Sequence, residues 1–173
     1  QWESEDSSRI PFQAYTDPEI YQKELDRFFY QGHWSYVGLE AEIPNPGDFK
    51  RTNIGERSVL MVREKEGGIH VVENVCAHRG MAFTRERHGH RESFTCPYHQ
   101  WNYTLSGDLQ GVPFRRGVKQ NGKVNGGMPK DFDPAEHSLT KLKVASRGGV
   151  VFASFDHSVP SLEEFLGPKI LEY

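Results

Sequence analysis

Cys76-Ala77-His78 and Cys96-Pro97-Tyr98-His99 are two short runs that each carry one thiol and one imidazole, with seventeen residues between them. Thiolate sulfur and neutral imidazole nitrogen are both good donors to transition metals. A [2Fe–2S] centre in which two thiolates hold one iron and two imidazoles the other needs this donor set, here Cys76, Cys96, His78 and His99. Ligands one or two residues apart reach adjacent metal atoms more readily than they share a single ion, so each run can feed both irons. A Cys2His2 zinc site uses the same ligand types, but zinc modules usually pair Cys with Cys and His with His. Each run here mixes the two. A Cys76–Cys96 disulfide with incidental histidines leaves the paired spacing without a reason.

Four neighbours of these runs are candidates to shape the site: Arg79, Gly80, Tyr98 and Trp101. Gly80 either lets the backbone pass close to a cluster or is a plain turn glycine. Tyr98 and Trp101 are read as packing around the metal site, and Arg79 as open to an acidic group on a partner or to water. The backbone amides of Arg79, Gly80 and Gln100 are candidate donors to the sulfurs. His88 and His90 lie between the two runs with no Cys at useful spacing and are read as surface residues. His33, His70, His137 and His157 have no metal-like neighbourhood in sequence. The chain has no Gly-x-Ser-x-Gly elbow, phosphate loop or His-Glu-x-x-His helix, which removes the commonest hydrolytic schemes.

Short β segments must hold these runs. Ser35–Leu39, Phe49–Ile54, Ser58–Arg63 and Ile69–Val75 are rich in β-branched and apolar residues between Gly, Pro and Asn. Ser93–Thr95, Trp101–Thr104 and Asp108–Gln110 surround the second run, and Leu142–Ser146 and Val150–Phe155 close a hairpin across Arg147-Gly148-Gly149. Asp17 with Pro18 at the first helical position, or a capping box of Thr16 and Glu19, starts a leading helix over 16–32, whose Ile20, Tyr21, Leu25, Phe28 and Phe29 form one apolar stripe read as packing. Ser161 and Glu164 form a capping box for a short closing helix, stopped by Gly167-Pro168. The stretch Gly117–Pro134 reads as a long loop without a packing pattern. The pattern predicts a mainly β fold, an antiparallel sandwich or barrel with the ligand runs on an inserted subdomain at one tip. The chain then divides into an opening segment 1–15, the leading helix 16–32, a β domain 33–160 with the ligand loops within 74–112, and a closing stretch 161–173.

A chain of 173 residues with 36% hydrophobic and 12% aromatic content fits one such domain. No apolar run approaches a membrane span, and no signal-peptide pattern is present. The first residue is not Met, the acidic, serine-rich stretch Glu3–Ser8 reads as mobile, and both ends read as cut from a longer chain. With both cysteines used as ligands none is left for a disulfide, which suits a reducing cytoplasm. Net charge is −3, but from Cys76 to Lys123 eight Lys or Arg face three Asp or Glu. The ligand-bearing section is therefore basic in an acidic chain, which fits an acidic protein partner or an ordinary solvated face, and disfavours nucleic acid.

Cys76-Ala77-His78-Arg79-Gly80 and Cys96-Pro97-Tyr98-His99-Gln100-Trp101 resemble the Rieske domain of aromatic-ring-hydroxylating oxygenase large (alpha) subunits. The run from Asp108 to Val118 looks most like the salicylate 5-hydroxylase and anthranilate dioxygenase branch. Respiratory-type Rieske proteins carry extra cysteines beside the ligands. The corresponding positions here are Met81 and Tyr98. The resemblance implies a Rieske-type β fold and electron relay from a ferredoxin through the cluster. It also implies a bacterial cytoplasmic oxygenase with a mononuclear non-haem iron in a further catalytic domain after 161–173, neighbouring subunits and a small beta subunit. A free-standing Rieske ferredoxin and a zinc-stabilised binding module are the rival readings.

Two thiolates and two neutral imidazoles leave an oxidised [2Fe–2S] cluster without net charge, so it takes up an electron more easily than a four-thiolate cluster. Rieske potentials span about −150 to +300 mV. No hydroxyl donor to the sulfurs is evident in the sequence, which places this centre at the low end. Replacing His78 or His99 by Cys adds a negative ligand that favours the oxidised state. The reduction potential of an assembled variant is therefore expected to fall, and a potential that stays level or rises in voltammetry would contradict the charge argument.

Overall fold

The computed structural model describes residues 10–172, so the acidic stretch Glu3–Ser8 lies outside the described residues. Five strands come first: β1 (Ser35–Leu39), β2 (Asp48–Ile54), β3 (Arg57–Arg63), β4 (Ile69–Glu73) and β5 (His88–His90). β6 (Phe94–Thr95), β7 (Asn102–Tyr103) and β8 (Leu109–Gly111) follow, then β9 (Val118–Gln120), β10 (Lys123–Asn125), β11 (Lys143–Arg147) and β12 (Val150–Ser154). Every described strand pairing is antiparallel. One sheet runs β4-β3-β2-β5 and another β1-β12-β11. The two are stitched where Leu142 N–H bonds the Val71 carbonyl and Glu73 N–H that of Thr140, both at 2.9 Å. With β1 against β2, the two sheets wrap one core.

β3 decides how the tip attaches. Its residues Val59, Leu60, Met61 and Val62 are all buried, a continuous apolar run that only a strand covered on both faces can carry. Side chains alternate across a strand. Val59 and Met61 point into the barrel core with Val37, Ile54, Val71 and Val151. Leu60 and Val62 point the other way, into a second core with Phe49, Phe94, Trp101, Tyr103, Leu105 and both cysteines. The small sheet β6-β7-β8 supplies much of that second core. The subdomain that carries the candidate ligands is thus packed on the back of the barrel's own sheet.

The helical parts differ from the sequence reading. Asp17 does cap α2 (Pro18–Glu24), its carboxylate accepting from Glu19 N–H at 2.8 Å. The leading helix expected over 16–32, however, is α2 followed by a π-helical turn over Leu25–Tyr30, and a separate turn, α1 (Gln13–Thr16), precedes it. Of the apolar stripe Leu25 is buried, while Tyr21, Phe28 and Phe29 are exposed. The closing segment has the expected capping box on α3 (Leu162–Leu166), but after Gly167 the chain starts a further turn, α4 (Pro168–Leu171).

Gly117–Pro134 is not structureless. Asn121 and Gly122, both at positive φ, turn β9 into β10, the dipeptide that a two-residue hairpin favours. All six of its strand residues are exposed, so no apolar alternation marked it. A 3-10 turn, Pro134–His137, follows, capped by Asp133. The histidines read as surface residues form β5 on the edge of β2, with His90 3.1 Å from Asp48.

Arg57 and Glu73 tie β3 to β4 by a two-pronged ion pair at 2.7 Å, and the guanidinium lies 3.7 Å from the centre of the Phe155 ring. Hydrogen bonding to Arg57 lowers the Glu73 pKa against the opposing effect of burial. A lowered folded-state pKa gives stability that is present above the ordinary carboxylate range and lost as pH falls through the folded value. Glu73→Gln is expected to cost about 1.5–3 kcal/mol at neutral pH. The gap to wild type in urea unfolding should close as the solution is acidified, and a pH-independent gap would show the pair has no electrostatic role.

Candidate metal centre

The two ligand runs fold into near-duplicate six-residue loops. In the first, Cys76 N–H bonds the Met81 carbonyl and Gly80 N–H the Cys76 carbonyl, both at 2.9 Å. In the second, Cys96 N–H bonds the Trp101 carbonyl at 2.8 Å and Gln100 N–H the Cys96 carbonyl at 2.9 Å. The second loop is the tip of the β6–β7 hairpin, and the first follows β4 directly. Closing each loop needs a left-handed residue at its fifth position, Gly80 at φ 70° and Gln100 at φ 58°. A non-glycine residue there costs about 1–2 kcal/mol. Beyond the adjoining residues, no protein atom lies within 4 Å of a Cβ built on Gly80, so its demand is the backbone angle.

The Gly80 and Gln100 amides, read as candidate donors to sulfur, are directed to the Cys76 and Cys96 carbonyls that close the loops. The Cys76 sulfur is met by the His78 amide and by the Tyr103 hydroxyl, the latter at 3.5 Å. Tyr103 is fully buried, and Ala77 N–H donates to its oxygen. Burial pushes the Cys76 thiol up; Tyr103 and the His78 amide act against it, and nearby Cys96 adds to the rise. Burial likewise pushes the Tyr103 hydroxyl up, with its hydrogen bond to Cys76 adding, so it stays a donor. Tyr103 therefore places a hydroxyl within hydrogen-bonding reach of the Cys76 sulfur, a group the sequence reading did not find. Strand alternation was the available signal: Trp101, Tyr103 and Leu105 all face inward, and a buried phenol needs a partner.

The four candidate ligands separate by depth. Cys76 and Cys96 are buried free thiols in the second core, while His78 is exposed and His99 half-buried at the surface. The two imidazole rings approach to 4.7 Å between centres, edge to face. Each has an aromatic escort: Trp101 lies flat on His78 at 4.7 Å and 10°, and Tyr98 covers His99 at 3.7 Å. Partial burial, then His99 and the Arg79 cation, lower the His78 pKa and favour the neutral ring that metal binding requires. His99 Nδ1 is buried with no hydrogen-bond partner, an orphaned donor-acceptor that a metal would satisfy. No group of three or more His, Cys, Asp or Glu among the described residues is gathered for a single ion. Two sulfurs inside, two nitrogens outside and an orphaned ring nitrogen suit a two-iron cluster.

Asn74, which the sequence reading passed over, positions the first loop. It is buried, donates to the Ser58 hydroxyl and the Thr84 carbonyl, and accepts from Phe83 N–H at 2.9 Å. It thereby spans the loop from both sides. Beside the rings, a groove of about 470 Å3 is lined by His78, Tyr98, His99, Trp101, Phe114 and Met128 among others. Arg79, Arg116, Lys119 and Lys123 have no carboxylate partner among the described residues, whereas Arg91 pairs with Glu86. Arg115 instead holds the Phe132 carbonyl at 3.1 Å.

A β barrel carrying a second core, from which two closed loops bring paired thiols and imidazoles together, defines an iron–sulfur domain. Residues 33–122 match the Rieske [2Fe–2S] domain model, and the chain belongs to that family. It is 74% identical over 173 residues to the salicylate 5-hydroxylase large oxygenase component of Ralstonia sp, covering 100% of this chain and 41% of that protein. It is 45% identical over 166 residues to the anthranilate 1,2-dioxygenase large subunit of Burkholderia cepacia, covering 96% and 38%. The chain thus spans about two fifths of the curated relatives it matches. Naphthalene 1,2-dioxygenase from Rhodococcus sp. bound to indole superposes with a TM-score of 0.75 at 34% identity, over 87% of this chain and 32% of that one. The apo form of a quaternary ammonium Rieske monooxygenase gives 0.79 at 26%, over 95% and 44%. No described helix is long and apolar enough to cross a membrane.

Reduction adds negative charge to the cluster, and a hydroxyl donor to a ligand sulfur favours that state. Tyr103→Phe should therefore lower the reduction potential. A donor worth about 1 kcal/mol more to the reduced form corresponds to a shift on the order of 40 mV. An unchanged potential in film voltammetry would remove Tyr103 from the tuning of the site.

Proposed function

We propose that Cys76 and Cys96 hold one iron of a [2Fe–2S] cluster, and His78 and His99 the other. The domain then relays single electrons from a ferredoxin to the mononuclear iron of a catalytic domain that follows it. The reading is carried by one observation: the thiols are buried behind two surface imidazoles that meet at 4.7 Å. The cluster supplies a one-electron carrier. The chain's own residues seat its sulfur side in a dry core and turn the ligand rings toward a partner. The unpaired cations Arg79, Arg116, Lys119 and Lys123 favour an acidic electron donor, whose approach would weaken with salt.

By its similarity to the salicylate 5-hydroxylase component, the complete subunit is proposed to hydroxylate salicylate or a similar aromatic carboxylate. The relatives' names denote a large oxygenase component and a large subunit, which supports an assembly with further subunits, a small beta subunit among them. The exposed Tyr21, Phe28, Phe29, Phe165 and Ile170 support packing of the catalytic domain against the leading and closing helices, with 161–173 as the connection. Two cysteines committed as ligands support a bacterial cytoplasmic setting.

Oxygen activation needs an iron with open positions, commonly set by two His and one carboxylate, and a pocket that orients the ring beside the oxidant. The 173-residue piece is therefore expected to take up and release electrons without making hydroxylated product. The complete subunit, given ferredoxin, reductant, oxygen and salicylate, should make it. Product from the piece alone, with peroxide scavenged, would overturn this division of labour.

A further inference from the structure

The stretch between β10 and β11 brings two aromatic rings to the back of the ligand loops. Phe132 and His137 stack on one another at 4.7 Å with planes 9° apart. Both meet Trp101 edge-on, at 5.9 and 5.8 Å. Trp101 lies flat on His78, so four rings run without a break from the stretch to the candidate ligand. The stretch is anchored along its length. Arg115 holds the Phe132 carbonyl at 3.1 Å and sets its guanidinium 5.5 Å from the Phe132 ring. Asp133 caps the turn that carries His137, and Leu139 N–H bonds the Gly107 carbonyl at 2.8 Å.

His78 needs this support more than His99 does. It is exposed on the outer turn of its loop, between exposed Ala77 and Arg79. Its ring is flanked by the indole face and by His99. We propose that Phe132 and His137 are positioning residues for the cluster: by bracing Trp101 they fix the plane of the His78 imidazole and keep water off its inner face. The proposal rests on the assignment of His78 as an iron ligand. Groups around a ligand set its orientation and the polarity of its surroundings, and through both the potential and spectrum of the metal. The reduced cluster carries more negative charge than the oxidised one, so a dry aromatic wall disfavours reduction and holds the potential down.

The test uses the cluster-loaded full-length subunit with His137→Ala, Phe132→Ala and His137→Phe. The readouts are the reduction potential, the g anisotropy of the reduced cluster, and nitrogen ENDOR couplings. Both alanine variants are expected to raise the potential and change the g anisotropy. His137→Phe, which keeps a flat ring in the stack, should restore the wild-type values. A purely structural role would lower thermal stability while leaving potential and spectrum unmoved. Wild-type values in His137→Ala, or a His137→Phe variant displaced as far as His137→Ala, would overturn the proposal, and His137→Ala decides if Phe132→Ala does not assemble a cluster. The ligand reading fails separately, and takes the proposal with it, if wild type lacks couplings from two imidazole nitrogens.

Discussion

Two sulfur atoms must be kept inside an apolar core while two imidazoles, two and three residues further along the chain from them, stay at the surface. That demand is met by the paired hydrogen bonds closing each ligand loop, from Cys76 to Met81 and from Cys96 to Trp101. A loop of six residues closed at both ends leaves its middle residues no route but outward, which turns His78 and His99 away from the core that holds their cysteines. The left-handed turn at Gly80 and Gln100 is the conformational cost of that closure. At Gln100 a residue with a Cβ bears it, so the closure is worth more than the strain it imposes.

The loops in turn depend on β3. A strand buried on both faces belongs to two cores at once, so the barrel and the tip cannot shift relative to one another without disturbing packing on both sides. Asn74 sits where β4 leaves the barrel sheet and enters the first loop. Its hydrogen bonds to Ser58, Phe83 and Thr84 carry the rigidity of the sheet to within two residues of Cys76. An electron-transfer site gains from such stiffness, because little needs to move when the charge on the cluster changes.

Polarity around the site is graded. Tyr103 and the His78 amide offer hydrogen bonds to Cys76 in the interior. Trp101 and Tyr98 cover the flat faces of the imidazoles. Outside them lie an apolar groove and cations without partners among the described residues. Hydrogen bonds to sulfur favour the reduced state and apolar cover opposes it. The two act at different proposed ligands, Cys76 and His78.

The donor types and their spacing were legible in the chain because ligation is a property of side-chain chemistry and short-range geometry. So were β1, β2, β3 and the Gly148-Gly149 hairpin, since β-branched and apolar runs bounded by turn residues are local signals. The break of the leading helix into a π-turn was not, because an apolar stripe reports a face and not whether anything covers it; Phe28 and Phe29 are exposed. The Asn121-Gly122 hairpin was missed for the opposite reason, with a turn signal present but exposed strands that carry no pattern. Tyr103, Phe132 and His137 acquire their roles only when strands and loops distant in sequence meet behind the ligand loops. Spacing along a chain can show which atoms are able to hold a metal. Which neighbours tune that metal depends on packing between segments, and this was decided by the tertiary structure alone.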